Sequence, residues 1–220
     1  NFGVQLLWLP LNGVTMLPTS LGQLVTIVII LVTINAVNFI DGLDGLAAGI
    51  VAIAAGSFFA FAYLLSVVYN FDRAGAPSLI TAIMIGACVG FLPHNFYPAK
   101  IFMGDSGSML LGLLLGVAAI SLTGQIDANA IASQNFAPTL VPLLLPFAVL
   151  AIPLVDLSLA IVRRVRAGRS PFTPDMGHLH HRLLKRGHSH LSATFALYLW
   201  TALIALPVAA SAFIDWRVNL

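Results

Sequence analysis

Six long apolar stretches, separated by short polar connections, make up most of the sequence. A helix needs about 20 apolar residues to cross the hydrocarbon core of a bilayer, and these stretches reach or approach that length. Upstream of them, LPLNGVTML places Asn12-Gly13 between apolar residues, which predicts a β-hairpin ribbon on the outer surface. The pattern therefore predicts an all-α, polytopic bundle of transmembrane helices, with spans at about 21–40, 45–69, 77–96, 107–126, 138–162 and 191–214.

The basic residues predict the orientation of these spans. Counting spans places eight of the ten Lys and Arg on one side, which the positive-inside rule identifies as cytoplasmic. Three connections emerge there: 38–44, 95–106 and 163–190. We therefore expect the reactive polar groups on the cytoplasmic face, because these connections hold Asp41, Asp44, Asp105, Asp175, His178, His180, His181, His188 and His190.

Composition agrees with a membrane protein and excludes several other classes. Only 18 of the 220 residues are charged and 59% are hydrophobic, whereas a soluble domain has about 25% charged residues. A net charge of +2 is too small to suggest that the protein binds nucleic acid. The single Cys88 lies in an apolar run and supports neither a disulfide framework nor a Cys-based metal site. Because the chain begins at Asn1 without a signal peptide, we expect residues 1–220 to be the C-terminal portion of a longer single membrane domain.

The first polar segment reads NAVNFIDGLDGLAAG. Its polar residues recur every three positions, at Asn35, Asn38, Asp41 and Asp44, so neighbours lie about one helical turn apart. Carboxylates and an amide at a helix end suit Mg²⁺, which prefers oxygen ligands. The alternative is an Asp-rich turn that only caps the next helix. The cost of carboxylates at a membrane boundary favours the functional interpretation.

The second segment reads HNFYPAKIFMGDSGSMLLG, with Asp105 just before an apolar span. The N-terminal amides of that span would face an anion. Phe102 is suited to stacking on a planar base and Asn95 to hydrogen bonding with it. The alternative for Phe102, as for Tyr97, is a place in the interfacial aromatic belt.

The third segment reads RRVRAGRSPFTPDMGHLHHRLLKRGHSH. Its cations suit a diphosphate, since the guanidinium fork matches phosphate oxygens. A zinc site is the alternative for the histidines, but His-x-His-His does not fit common zinc spacings and no Cys supports it. Arg163 and Arg164 are interpreted as positive-inside residues that contact anionic lipid.

Taken together, the three segments resemble the polyprenyl-phosphate N-acetylhexosamine-1-phosphate transferases, a glycosyltransferase family 4 type, over about residues 20–190. PFTPDMGHLHHRLLKRGHSH looks like the bacterial branch that uses UDP-GlcNAc with undecaprenyl or decaprenyl phosphate. The resemblance implies transfer of GlcNAc-1-phosphate to the lipid with release of UMP, the first membrane step of cell-envelope polysaccharide synthesis. The phospho-MurNAc-pentapeptide transferases usually carry adjacent histidines followed by Glu, and this chain has no Glu. That enzyme is one alternative, and a secondary transporter is another.

The resemblance also implies roles for the polar residues nearest the chemistry. Asn38 and Asp105 match the positions that hold Mg²⁺, with Mn²⁺ as the alternative ion. Asp41 and Asp44 match acidic positions lining the nucleotide-sugar site. Together with Asp105 and His180 they are the candidate catalytic residues.

The same resemblance implies the substrate contacts. Phe102 matches the aromatic residue that stacks on uracil, and Asn95 matches a uridine contact. Asp156 fits a family carboxylate to which the sequence assigns no role. The cytoplasmic loop that closes over the sugar and phosphates supplies Asp175, His178, His181 and Arg182.

One family motif is absent from this sequence. The family's paired Asp-Asp motif, proposed to activate the lipid phosphate, lies upstream of the residues present here. We therefore expect residues 1–220 alone to be inactive and the complete protein to have about ten or eleven spans. The implied partners are UDP-GlcNAc, polyprenyl phosphate and membrane lipids, in the bacterial plasma membrane. The expectation that the protein forms a homodimer rests on the resemblance alone.

Overall fold

The computed structural model describes residues 6–9, 13–16, 18–68, 74–123, 144–168, 170 and 179–213. Within these ranges a two-stranded ribbon precedes a series of helices. The strands are β1 (Leu6–Leu9) and β2 (Gly13–Met16). The helices are α1 (Thr19–Ile40), α2 (Leu46–Tyr63), α3 (Gly75–Asn95), α4 (Gly104–Thr123), α5 (Ala151–Arg166), α6 (Leu179–Lys185) and α7 (His190–Ser211).

The ribbon confirms the predicted hairpin. Strands β1 and β2 pair antiparallel, with Leu6 opposite Met16 and Leu9 opposite Gly13. Gly13 is thus the first residue of β2 and pairs in the ladder. Its placement on the outer surface stays a prediction.

Five of the described helices are long and apolar enough to cross a membrane: α1, α2 with its π-helical extension Leu64–Val68, α3, α4 and α7. They coincide with five of the six predicted spans and confirm a polytopic helical bundle. The remaining predicted span, 138–162, is described only from residue 144, as a helical segment at 144–149 followed by α5. The predicted loop 163–190 includes the end of α5 and the whole of α6.

Helix α2 lies at the centre of the described bundle and packs against α1, α3, α4 and α7. It is apolar on all faces, the pattern of a helix surrounded by other helices. Phe58 and Phe61 are fully buried in its interior face, together with Leu115 of α4 and Ala205 of α7. The outer helices instead expose large apolar side chains such as Leu79 of α3, which suits contact with lipid.

Helices α1 and α4 approach each other closely because of a glycine. A Cβ at Gly112 would lie 2.7 Å from the Cα of Ile34 and 2.9 Å from the carbonyl oxygen of Thr33. Such a position accepts only glycine, as in other close helix contacts within membranes. The two helices run antiparallel, so the C-terminal end of α1 meets the N-terminal end of α4.

A second apolar cluster holds the later helices onto the turn after α1. Leu43 of that turn and Ile40 just before it are buried there. The cluster also contains Ile152 of α5, Leu183 of α6 and Leu197 of α7. Burial of these side chains therefore brings three helices that are distant in sequence to the end of α1.

Candidate functional site

The turn between α1 and α2, residues 41–45, is the centre of the candidate site, and we call it the acidic turn. Helix α1 ends at Ile40, and the N–H of Asp41 donates to the carbonyl of Asn38 at 3.2 Å. Gly45 has φ +76° and directly precedes α2. This left-handed conformation favours glycine. Asp41 and Asp44 are therefore held on a tight turn at the end of two spans.

The first and second polar segments meet at a direct side-chain contact. Asn38 Nδ2 donates to Asp105 Oδ1 at 3.2 Å and to Ser108 Oγ at 3.0 Å. Asn38 and Asp105 are 67 positions apart in sequence. Asp105 lies in the first turn of α4, where the helix dipole favours a negative charge. Its side chain is exposed and hence accessible to a ligand.

Asp41 lies close enough to Asp105 for the two negative charges to repel each other. Burial, and then the negative charge of Asp105, raise the pKa of Asp41 to about 6. A cation between the two would relieve this repulsion. The described residues contain no group of three His, Cys, Asp or Glu that could hold a metal. Asp41 and Asp105 offer carboxylate oxygens and Asn38 offers an amide oxygen, the ligand type that Mg²⁺ prefers, so these residues could hold the ion together with phosphate oxygens and waters.

Asp44 and Asn95 fasten the loop between α3 and α4 to the acidic turn. The N–H of Ala99 donates to Asp44 Oδ2 at 2.9 Å. Asn95 Oδ1 accepts from the N–H of Gly45 at 3.0 Å, and its Nδ2 donates to the carbonyl of Ile101 at 2.9 Å. The oxygen and the nitrogen of this amide are thus both bonded to backbone groups. The Asn95 side chain is only 4% exposed. The sequence did not predict this scaffolding role, and the uridine contact of Asn95 stays a prediction.

The same loop displays Phe102. Its side chain is 74% exposed, and it lies between the tethered Ile101 and the start of α4. An exposed ring on a fastened loop suits stacking on a planar base. An interfacial position at the membrane surface remains the alternative.

The third segment reaches the acidic turn through His180 of α6. This side chain is only 2% exposed, and a Cβ added to Gly42 would overlap the Nε2 and Cε1 atoms of its ring. The imidazole therefore lies directly against the backbone of the turn. The ring of His181 is 4.3 Å from that of His180, centroid to centroid. Arg182 is exposed on α6. The predicted Asp175 and His178 lie outside the described residues.

Helix α5 contributes two residues whose place the sequence reasoning did not find. Asp156 is 1% exposed, and its Oδ1 accepts from the N–H of Leu179 at 2.8 Å. Arg164 is 6% exposed, with its guanidinium 6.0 Å from the centroid of the Phe39 ring, a cation–π distance. The prediction that Arg164 contacts lipid was wrong. Asp156, Ala160 and Arg164 are four apart, so they share one buried helix face. This four-residue spacing was the sequence signal that could have placed Asp156 and Arg164 on a buried helix face.

Tyr198 of α7 is a further contact that the sequence reasoning missed. Its hydroxyl donates to the carbonyl of Gly45, and its ring meets those of Phe96 and Phe195. Nothing in the sequence around Tyr198 distinguishes it from other aromatic residues of an apolar helix. The contact ties α7 to the acidic turn.

Comparisons with known proteins identify a family and several relatives. The family described as glycosyl transferase family 4 matches residues 1–123. The chain is 54% identical over 139 residues to a decaprenyl-phosphate N-acetylglucosaminephosphotransferase of Mycolicibacterium smegmatis, covering 63% of this chain and 34% of the relative. It is 36% identical over 120 residues to a probable undecaprenyl-phosphate N-acetylglucosaminyl 1-phosphate transferase of Bacillus subtilis, covering 54% and 30%.

A phospho-N-acetylmuramoyl-pentapeptide-transferase of Gemmatimonas aurantiaca is 40% identical over 101 residues, covering 42% of this chain and 27% of the relative. The matched region thus spans 27% to 34% of the length of these curated relatives.

Proposed function

The chain belongs to glycosyl transferase family 4, and from this premise we propose that the protein transfers GlcNAc-1-phosphate from UDP-GlcNAc to a polyprenyl phosphate and releases UMP. The name of the relative with 54% identity over 139 residues supports GlcNAc as the transferred sugar, against the pentapeptide transferase with 40% identity over 101 residues. The reaction would begin the synthesis of a cell-envelope polysaccharide. The five candidate spans and the family make the chain part of a multi-pass membrane protein.

The convergence of the three polar segments on the acidic turn is the observation that carries the proposal. Asp105 contacts Asn38, Ala99 contacts Asp44, and His180 lies against Gly42. A transfer between two phosphate compounds needs oxygen ligands for a cation, donors for phosphate and a surface for the base at one place. The first segment offers oxygen ligands, the second offers an aromatic surface for the base, and the third offers donors for phosphate.

The residues fit the Mg²⁺ ion that the family implies. Asn38, Asp41 and Asp105 would hold it, and the bound ion would offset the charge on the diphosphate and on the leaving UMP. The selection of Mg²⁺ over Mn²⁺ belongs to the proposal.

The chain's own side chains would position the nucleotide sugar. The exposed ring of Phe102 stacks on uracil, while Asp44 and Asn95 keep its loop in place. The exposed Arg182 of α6 donates to the phosphates, and the buried His180 holds α6 against the acidic turn. An oxygen of the lipid phosphate attacks the phosphorus that bears the sugar. The bond from that phosphorus to the oxygen bridging the two phosphates breaks, and this oxygen leaves with UMP.

Three further parts of the proposal concern the whole protein. The acidic turn faces the cytoplasm of a bacterial plasma membrane, as the positive-inside rule favours. The group that activates the lipid phosphate lies outside residues 1–220, so this chain alone does not turn over substrate. A homodimer is the proposed assembly.

A donor competition assay tests the proposed reaction. The full-length protein is reconstituted with decaprenyl phosphate and Mg²⁺, and the labelled lipid product is measured with UDP-GlcNAc and with UDP-MurNAc-pentapeptide. We expect labelled lipid and UMP from UDP-GlcNAc only. Product from the peptide-bearing nucleotide would instead favour the pentapeptide transferase. Uptake of solute into vesicles without any lipid product would favour a transporter.

A further inference from the structure

Asp156 is buried on α5 and has no role in the reaction proposed above. Its Oδ1 accepts the N–H of Leu179 at 2.8 Å, across 23 positions of sequence. Leu179 is the first residue of α6, and the next residue is His180. The Asp156 carboxylate therefore bonds the backbone immediately before the histidine that lies against the acidic turn.

Helix α6 depends on such contacts because it is short. It has seven residues, and an isolated helix below about 12 residues is marginal in water. Its first N–H groups have no partner within the helix, and a carboxylate that accepts one of them stabilises the start of the helix. Leu183 anchors the other end in the apolar cluster with Ile40 and Leu43. Two attachments thus define where α6 begins and which face it turns inward.

The position of His180 follows from these attachments. Its ring lies over Gly42, where a Cβ would overlap it, so a small displacement of α6 breaks this contact. We propose that Asp156 is a positioning residue: its carboxylate fixes the start of α6 and thereby keeps the His180 imidazole against the acidic turn. The consequence for catalysis rests on the proposed function, whereas the placement of His180 does not.

Histidine labelling measures that placement without an activity assay. The full-length protein is treated with diethylpyrocarbonate, and mass spectrometry gives the extent of modification at His180. The exposed His188 and His190 serve as internal references. We expect slow modification of His180 in the native protein and in D156N, whose amide oxygen can accept the same N–H. In D156A the rate should rise roughly 2- to 30-fold, the range that loss of one helix cap produces in a local equilibrium.

A second pair of variants removes the donor instead of the acceptor. L179P lacks the N–H yet fits the first position of a helix, whereas L179A also shortens the side chain but keeps the N–H. We expect faster modification of His180 in L179P than in L179A. This pair decides the question if D156A does not fold. S158A, an exposed position on α5, is the control expected to match the native protein.

The outcomes separate this inference from the proposed function. Equal protection of His180 in D156A and the native protein, or equal labelling in L179P and L179A, would overturn the positioning role. Labelling as fast in D156N as in D156A would also overturn it. If labelling follows the expected order, GlcNAc-1-phosphate transfer should fall in D156A and recover in D156N. Absence of that activity in the native protein would refute the proposed function and leave the labelling result standing.

Discussion

The polar side chains inside the spans and those at the acidic turn satisfy their hydrogen bonds in different ways. Within the spans, hydroxyl groups donate to the carbonyl one turn back in their own helix: Thr33 to Ile29 at 2.7 Å, Ser57 to Ile53 at 3.0 Å and Thr201 to Leu197 at 2.9 Å. At the acidic turn, Asn38, Asp44 and Asn95 bond to partners 67, 55 and 50 positions away.

The two kinds of hydrogen bond therefore differ in whether they specify how the helices are arranged. A hydroxyl bonded within its own helix is satisfied wherever that helix lies, so it specifies no contact between helices. The long-range bonds at the acidic turn are satisfied only when several segments meet. Substitutions in the two regions should therefore have different consequences, and four predictions test this contrast.

The largest effect is expected from Asp105→Ala. This change removes the carboxylate that contacts Asn38 and would ligate the cation, so turnover should fall by about 10²–10³-fold or more, with the fold largely intact. Ser57→Ala, in the interior region, should retain nearly full activity. The measurement is the initial rate of labelled lipid formation. Near-normal activity of Asp105→Ala would remove this residue from the metal site.

Gly42→Ala should come next. The added Cβ overlaps the His180 ring, so either the turn or α6 must move, and activity should fall roughly 10–100-fold, as when a group supporting a metal site is lost. Gly56→Ala in α2 is the matched control, because a Cβ there meets nothing within 4 Å. That control should be neutral or slightly stabilising. Equal activity of the two variants would contradict the contact between His180 and the turn.

Asn95→Ala should reduce stability by about 1–3 kcal/mol, because it leaves the buried Gly45 N–H and Ile101 carbonyl without this partner. Asn35→Ala is the control: Asn35 is exposed and bonds only to Leu31 in its own helix, so its loss should cost at most about 0.5 kcal/mol. Thermal unfolding in detergent compares the two. A similar Tm for both variants would show that the bridge made by Asn95 contributes little.

The smallest effect concerns the charge on Asp41. Its pKa of about 6 in the folded protein exceeds the ordinary 3.8, so the folded state binds the proton more tightly than the unfolded state. Stability from this group is therefore fully present below about pH 4 and is lost as the pH rises through about 6. Without divalent ions at pH 7.5, Asp41→Asn should unfold roughly 1–3 °C higher than the native protein.

The advantage of Asp41→Asn should vanish below about pH 4, where the native carboxyl is also neutral. Added Mg²⁺ should raise the Tm of the native protein more than that of Asp41→Asn, because ions that bind only the folded state stabilise it. A pH-independent difference between the two proteins would contradict the raised pKa of Asp41.

Much of the fold could be predicted because membrane spans are long and uniform. The lengths of the apolar runs located five helices that the structure places within a few residues. Counting spans predicted that the segments with Asp44, Asp105 and His180 emerge on one side. Asn12-Gly13 predicted the hairpin. These features depend on local pattern and on counting, and both are readable from one sequence.

The attachments that hold the site could not be predicted in the same way. The partners of Asn95 and Tyr198 are backbone groups, which every residue carries, so no sequence signal identifies them. Asp156 was identified only as fitting a family carboxylate, and its partner depends on where α6 begins. Arg164 shows the same limit, because a basic residue at the end of a span is compatible with lipid and with burial.

The backbone contact between α1 and α4 at Gly112 has a consequence for how the protein responds to its lipid surroundings. Helices that touch through a glycine cannot slide or tilt independently without collision. A thinner or thicker bilayer would therefore tilt α1 and α4 as a single rigid body, and the separation of Asn38 from Asp105 would stay constant. We therefore expect the geometry of the candidate site at Asn38 and Asp105 to be insensitive to membrane thickness.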